Sequence, residues 1–168
     1  MIEATLDTLL FWLVVLMRMT GMVFFNSILG RNNVPIILRI GLTVLLTFFT
    51  VNILGVSALT VNTWVGFGFI LIKELVVGFF MGYLISAVLS IPMVAGEVLD
   101  MQLGISMSKI YDPQSNISMP ITGSIFNAMF IVNFFMANGH LTLISLMVQS
   151  FQVVPPGAVV LHQEMIAY

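Results

Sequence analysis

Long stretches without a single charged side chain constrain this chain more than any other feature. No Asp, Glu, Lys or Arg occurs between Ile40 and Ile72, and none occurs between Pro113 and Gln163. Only 7% of the 168 residues are charged and 60% are hydrophobic, whereas soluble domains carry about 25% charged residues. Apolar runs of about 20 residues are long enough for a helix to cross a membrane. The sequence therefore predicts an integral membrane or membrane-derived protein.

Four apolar segments predict an all-α protein whose long, membrane-type helices form hairpins. We predict these segments at 8–29, 36–55, 63–95 and 124–152, with a polar connection at 96–123. In apolar surroundings each backbone polar group needs a partner within its own helix or in a closed barrel. Barrel strands would alternate polar and apolar residues. These runs do not alternate, so helices are predicted.

Net charge, cysteine content and the N-terminal sequence exclude several classes of function. A net charge of −2 does not favour nucleic acid as a partner. The lack of cysteine excludes disulfides and thiolate metal sites. The N-terminus has neither a basic start nor a small-residue cleavage site, so we expect the first apolar segment to be retained. Arg31 and Arg39 favour a cytoplasmic position for the first connection.

The third apolar segment contains four small residues at four-residue spacing: Gly78, Gly82, Ser86 and Ser90. This spacing places them on nearly one helical face. Small side chains let a second helix approach closely, which strengthens contact where no hydrophobic driving force exists. We predict helix packing at this face, either within the chain or against other subunits.

Three ionisable residues lie inside apolar segments: Arg18, Lys73 and Glu74. A charge at membrane depth costs at least about 2.5–3.5 kcal/mol, so it usually has a partner or a wet cavity. One interpretation is an internal ion pair, for example between Arg18 and Glu74. A second is that these segments pack in a protein assembly rather than in lipid. A third is a proton relay, as in an ion-coupled transporter or channel subunit.

The sequence gives little support for a metal site or an enzyme, and no cofactor is expected. His140 is predicted to be a hydrogen-bonded histidine at a helix interface, because only Glu97 and Asp100 are available as further ligands and their spacing does not bring them together. The run from Ser106 to Lys109 matches S-x-x-K, but the accompanying motifs are absent. No phosphate-binding loop, dinucleotide-binding motif or H-E-x-x-H motif occurs.

The connection "GEVLDMQLGISMSKIYDP" at 96–113 gathers several of the few charges of the chain, together with Met and Gly. Gly96 and Gly104 permit chain bends, and Met side chains fill irregular gaps. Asp112 followed by Pro113 signals a turn or a helix start. The stretch is either an ordinary polar loop on one membrane face or a deformable loop folded into a central passage.

The same stretch resembles the FliR family of flagellar type III export proteins. "GEVLDMQLGISMSKIYDPQSN", followed further along by "NGHLTLI", is similar to the family pattern, as is the earlier "RNNVPIILRIGLTVLLT". The matching positions are Gly96, Glu97, Asp100, Gln102, Gly104, Met107, Asp112, Pro113, Asn138, Gly139 and His140.

The resemblance implies a non-enzymatic subunit of an export gate in the bacterial inner membrane, at the flagellar basal body. Family members complete a helical pore with FliP and FliQ, have FlhB and FlhA nearby, and pass unfolded flagellar subunits. Injectisome homologues share the pattern. Family members are also longer, so the resemblance implies that residues 1–168 form one FliR-like domain without the C-terminal FliQ-like hairpin.

The resemblance further assigns roles to single residues. The loop corresponding to 104–120 plugs the closed pore in the family, which implies gating roles for Gly104, Ile105, Met107, Tyr111, Asp112 and Pro113. Glu97, Asp100 and Lys109 are expected to tether this loop by ion pairs.

Overall fold

Five helices make up nearly all of the computed structural model, which describes residues 2–26, 34–55, 63–104 and 120–157. They are α1 (Ile2–Phe24), α2 (Ile36–Leu54), α3 (Trp64–Gln102), α4 (Ile121–Met136) and α5 (Gly139–Val153). No strand occurs within those four ranges. The predicted all-α class is confirmed.

Helix α3 is longer than the sequence suggested. It continues through Pro92 and Gly96 to Gln102, so the predicted end near 95 is wrong. Pro92 lacks an N–H and removes one helical hydrogen bond, but apolar surroundings still favour continued helix, where every other backbone group is paired. Two residues after the helix ends, Gly104 has a φ of 73°, which few other residues adopt readily.

The fourth apolar segment is two helices instead of the single one predicted at 124–152. Helices α4 and α5 are bent by 72° at the break between them. Asn138 has a φ of 56°, which interrupts the right-handed helix. Its carbonyl then accepts hydrogen bonds from the N–H groups of Leu141 and Thr142 and begins α5. The break was not predicted because the whole run is apolar and uncharged, and only the Asn138-Gly139 dipeptide signals a turn within it.

The described residues divide into two compact units. The first contains the residues up to Ile85 and those from Ser145 onwards, and the second is Ser86–Ile144. Nine buried apolar side chains from α1, α2 and α5 form the core of the first unit: Phe11, Val15, Met19, Met22, Val23, Leu46, Val51, Met147 and Phe151.

Helix α2 buries small polar residues beside its core residues Leu46 and Val51, while many of its large apolar residues are exposed. Thr43, Thr47 and Thr50 are buried, while Phe48 and Phe49 are about half exposed. The hydroxyls of Thr43 and Thr47 each donate to the carbonyl four residues earlier, both at 2.8 Å, whereas the buried Thr50 hydroxyl has no hydrogen-bond partner among the described residues. This distribution suits a helix whose outer face meets lipid or another apolar surface rather than water.

Three described helices are long and apolar enough to cross a membrane, namely α1, α2 and α3. The bent pair of α4 and α5 would make a fourth span if it crosses as one unit. Membrane-type helices were predicted from the charge-free runs, and the described helices agree with that prediction.

Candidate functional site

A buried ion pair joins α1 to α3 in the first unit. The Arg18 Nε–H donates to Glu74 Oε2 at 2.5 Å, and both side chains are fully buried. The two residues are 56 positions apart in the sequence. This is the internal pair named above as one interpretation of the charges within apolar segments. Each buried charge is thereby provided with a partner, without which its burial would be costly.

The same guanidinium group also holds the carboxyl end of α5. Arg18 Nη1 donates to the carbonyls of Ser150, at 3.1 Å, and Val154, at 2.8 Å. The ring of Phe151 lies 4.3 Å from the guanidinium carbon, a distance at which a cation is attracted to an aromatic face. The last carbonyls of a helix have no partner within it and carry partial negative charge. A cation is therefore favourable at this position.

The Glu74 carboxylate completes the cluster from the opposite side. Its Oε2 accepts from Arg18, and its Oε1 accepts from the backbone N–H of Gly157 at 2.9 Å. The pair therefore links α1, α3 and the chain just after α5. These contacts with α5 were not predicted, because no spacing in the sequence relates position 18 to positions 150–157. Arg18 Nη2 is buried and has no hydrogen-bond partner among the described residues.

Lys73 does not share the position of Glu74. It is half-buried, and one step along a helix rotates a side chain by about 100°. Lys73 therefore lies on a different face of α3 from its acidic neighbour.

Three glycines allow the backbones of α1 and α3 to touch beside this pair. A Cβ added at Gly78 would overlap the backbone of Arg18, and one at Gly82 would lie 2.9 Å from the carbonyl oxygen of Met22. A Cβ at Gly21 would lie 2.6 Å from the backbone nitrogen of Phe79. Gly78 and Gly82, the first two residues of the small-residue series, thus pack within the chain. Gly21 was missed because it stands alone on α1 without a repeating spacing.

The two serines of the series lie in the second unit and differ from the glycines. Ser86 is half-buried and Ser90 is exposed. The Ser90 hydroxyl donates to the carbonyl of Ala87 at 2.8 Å, within its own helix. The role of these two serines in helix packing stays a prediction.

A second small cluster joins the end of α3 to the start of α4. Asp100 is 2% exposed, and both of its carboxylate oxygens lie 3.3 Å from the backbone nitrogen of Thr122, which donates to them. One turn earlier, a Cβ on Gly96 would overlap the backbone of Gly123. Gly96 therefore serves close packing inside a helix, and its predicted role as a bend in the connection is wrong.

The remaining residues of the predicted plug and its tethers fall into two groups. Glu97 and Gly104 are described, and both are exposed. Ile105, Met107, Lys109, Tyr111, Asp112 and Pro113 lie outside the described residues.

His140 lies at the start of α5, directly after the helix break. It is half-buried, and its ring centroid lies 5.4 Å from that of Phe135. Its Nδ1 is buried without a hydrogen-bond partner in the part of the chain that the structure describes. The same part holds no group of three or more His, Cys, Asp or Glu that could bind a metal ion.

Comparison with known proteins places this arrangement in a family. The model of the bacterial export proteins, family 1, matches residues 9–168. The flagellar biosynthetic protein FliR of Escherichia coli strain K12 is 27% identical over 94% of this chain and 61% of its own length. FliR of Pectobacterium carotovorum is 27% identical over 83% of this chain and 51% of its own length. FliR of Bacillus subtilis strain 168 is 25% identical over 84% of this chain and 54% of its own length.

The chain thus spans about half to three fifths of the length of these relatives. The family match nevertheless covers most of the chain, including every residue of the two clusters described above. The chain belongs to the bacterial export proteins, family 1, which is the FliR family indicated by its sequence.

Proposed function

We propose that the chain is a structural subunit of the flagellar type III protein export gate. The observation that carries this proposal is the similarity to FliR across 94% of the chain. In this proposal the chain, as part of a FliR-like domain, completes a helical pore with FliP and FliQ in the inner membrane of the flagellar basal body. FlhB and FlhA lie nearby, and unfolded flagellar subunits are the cargo.

The distribution of apolar side chains supports a subunit whose helices face lipid or other apolar helices rather than water. On α3, Trp64 is 83% exposed and Val65 is 72% exposed. Large side chains of this kind require an apolar neighbour, because leaving each in water costs about 1.5–3 kcal/mol. Helices of a gate would supply such neighbours on several sides at once.

The connection between α3 and α4 is the proposed plug of the pore. It runs from Gly104 to Pro120, and its described ends meet at the Asp100–Thr122 contact. The residues proposed for gating are Gly104, Ile105, Met107, Tyr111, Asp112 and Pro113. Lys109 is proposed to tether the loop together with Glu97 and Asp100. The gating would be steric, driven by energy that other components supply.

The geometry of Glu74 favours this proposal over an ion-coupled transporter. A relay carboxylate has to exchange protons with a pathway. Here the two oxygens of Glu74 accept from Arg18 and from Gly157 in a fully buried position. The pair is therefore better suited to holding helices together than to carrying protons.

Deleting residues 106–117 in an otherwise complete gate tests the plug. We expect the membrane to leak small ions, while FliP and FliQ still co-purify with the variant. Wild-type ion permeability in an assembled variant would contradict the plug. Deleting the whole chain should abolish secretion of flagellar subunits. If the deletion abolished export of virulence effectors instead, the chain would belong to an injectisome.

A further inference from the structure

Helix α4 begins without a cap of its own. Its first residues follow Pro120, which is buried and supplies no side-chain hydrogen bond to the helix. The first N–H groups of a helix have no partner within it and carry partial positive charge. In an apolar environment, such groups need a partner from elsewhere in the fold.

Asp100 of α3 supplies that partner. Its carboxylate faces the N–H of Thr122 in the first turn of α4, with both oxygens at 3.3 Å. A negative charge at this end of a helix is stabilised by the helix dipole. The cap therefore comes from a different helix, and breaking it separates two helices rather than fraying one.

Two glycines bring the helices close enough for this bond. A Cβ on Gly96 would overlap the backbone of Gly123, and one on Gly123 would lie 2.9 Å from the carbonyl oxygen of Met93. The end of α3 and the start of α4 thus meet along one face of α3, through backbone contact at Gly96 and, one turn later, through Asp100.

We propose that Asp100 is a positioning residue that holds the two ends of the 104–120 connection together by capping α4 from α3. The functional part rests on the export-gate proposal above, in which this connection blocks the pore. Because Asp100 holds the end of α3 against the start of α4, the connection between them is not stretched by movement of one helix away from the other. When the plug is displaced, α3 and α4 then stay in contact with each other in the gate.

A distance measurement tests the capping role without reference to any pore. The chain has no cysteine, so spin labels can be attached to cysteines placed at Leu99 and Ile121, which are exposed and flank the contact. The assembled gate gives a narrow distance distribution with Asp100 present. Because a hydrogen bond to a charged group shifts an equilibrium by about tenfold or more, Asp100→Ala broadens the distribution towards longer distances. A gate without the introduced cysteines corrects for labels on other subunits.

Ion leak through the same gates tests the functional part. Asp100→Ala raises the leak severalfold over wild type at equal gate abundance, and Asp100→Asn, which keeps one acceptor oxygen, restores most of the barrier. Gln102→Ala is the matched control, because Gln102 is an exposed polar residue two positions later on the same helix; it leaves both the leak and the distances unchanged.

Three outcomes separate this proposal from the plug itself. An unchanged distance distribution in Asp100→Ala overturns the capping role. A wild-type leak in Asp100→Ala, combined with a leak on deleting 106–117, overturns the functional part and leaves the plug standing. A tight gate after that deletion removes the plug, and the distance measurement alone then decides whether Asp100 holds the ends together.

Discussion

At the scale of single residues, the buried Arg18 side chain connects three parts of the first unit. It pairs with Glu74, binds two carbonyls at the end of α5 and lies over the ring of Phe151. Burying an isolated charge is expensive, and a buried pair repays that cost only when further hydrogen bonds satisfy both partners. The α5 carbonyls and the Gly157 N–H provide those bonds.

Removing one partner should therefore destabilise the chain far more than removing both. Arg18→Met leaves Glu74 buried without its cation, and we expect a loss of about 3–5 kcal/mol. Arg18→Met combined with Glu74→Gln should recover most of this loss, because Gln keeps an acceptor for Gly157. Denaturant titration of the purified protein in detergent measures the difference.

Lys73→Met is the control for this pair, since it removes a half-buried charge one position away on another face of α3. We expect it to cost less than Arg18→Met. Equal losses for the single and the double variant would contradict a mutual dependence of Arg18 and Glu74.

At the scale of helices, the contact between α1 and α3 depends on the absence of side chains. Gly78→Ala places a Cβ against the backbone of Arg18, and we expect it to cost about 1–3 kcal/mol, as overpacking does. Gly68→Ala is the matched control on the same helix, because nothing lies within 4 Å of its added Cβ. Alanine is a better helix former than glycine by about 1 kcal/mol, so Gly68→Ala should be neutral or stabilising. Thermal unfolding in detergent compares the two, and a stable Gly78→Ala protein would contradict the close helix contact.

The break between α4 and α5 depends on Asn138. Its φ of 56° is left-handed, a conformation that costs most side chains about 1–2 kcal/mol and that glycine adopts freely. Asn138→Gly should therefore leave stability nearly unchanged, whereas Asn138→Val should lower it by about that amount. Denaturant titration of both variants tests this, and equal stability would show that the bend does not require the left-handed residue.

The helices were more predictable than their ends and contacts. Charge-free runs predicted α2 within one residue, because the length and apolar content of a segment act locally. The passage of α3 through Pro92 and the break at Asn138 were missed, because in each case tertiary surroundings decide whether a local signal ends a helix. The capping of α4 by Asp100 was missed for a related reason. A hydrogen bond between two helices produces no regular spacing of residues in the sequence from which it could be predicted.

At the scale of the whole molecule, the exposed apolar surface decides between a protein shell and a lipid environment. Phe69, Phe80 and Val88 of α3 are each about 60% exposed in the isolated chain. If the helices pack against sister subunits, these residues should be shielded in the complete gate from a photoreactive probe dissolved in the bilayer. The chain alone in the same bilayer should be labelled at all three, as mass spectrometry can map.

Phe151 provides the internal control for this measurement, because it is 2% exposed within the chain and should stay unlabelled in both samples. The physical reason is that apolar helices gain nothing by exchanging lipid for protein through the hydrophobic effect alone, so shielding has to come from packing and interhelical contacts. Persistent labelling of Phe69, Phe80 and Val88 in the complete gate would mean that lipid surrounds α3. In that case the helices would be membrane spans in the ordinary sense, and a pore wall built from α3 would lose its support.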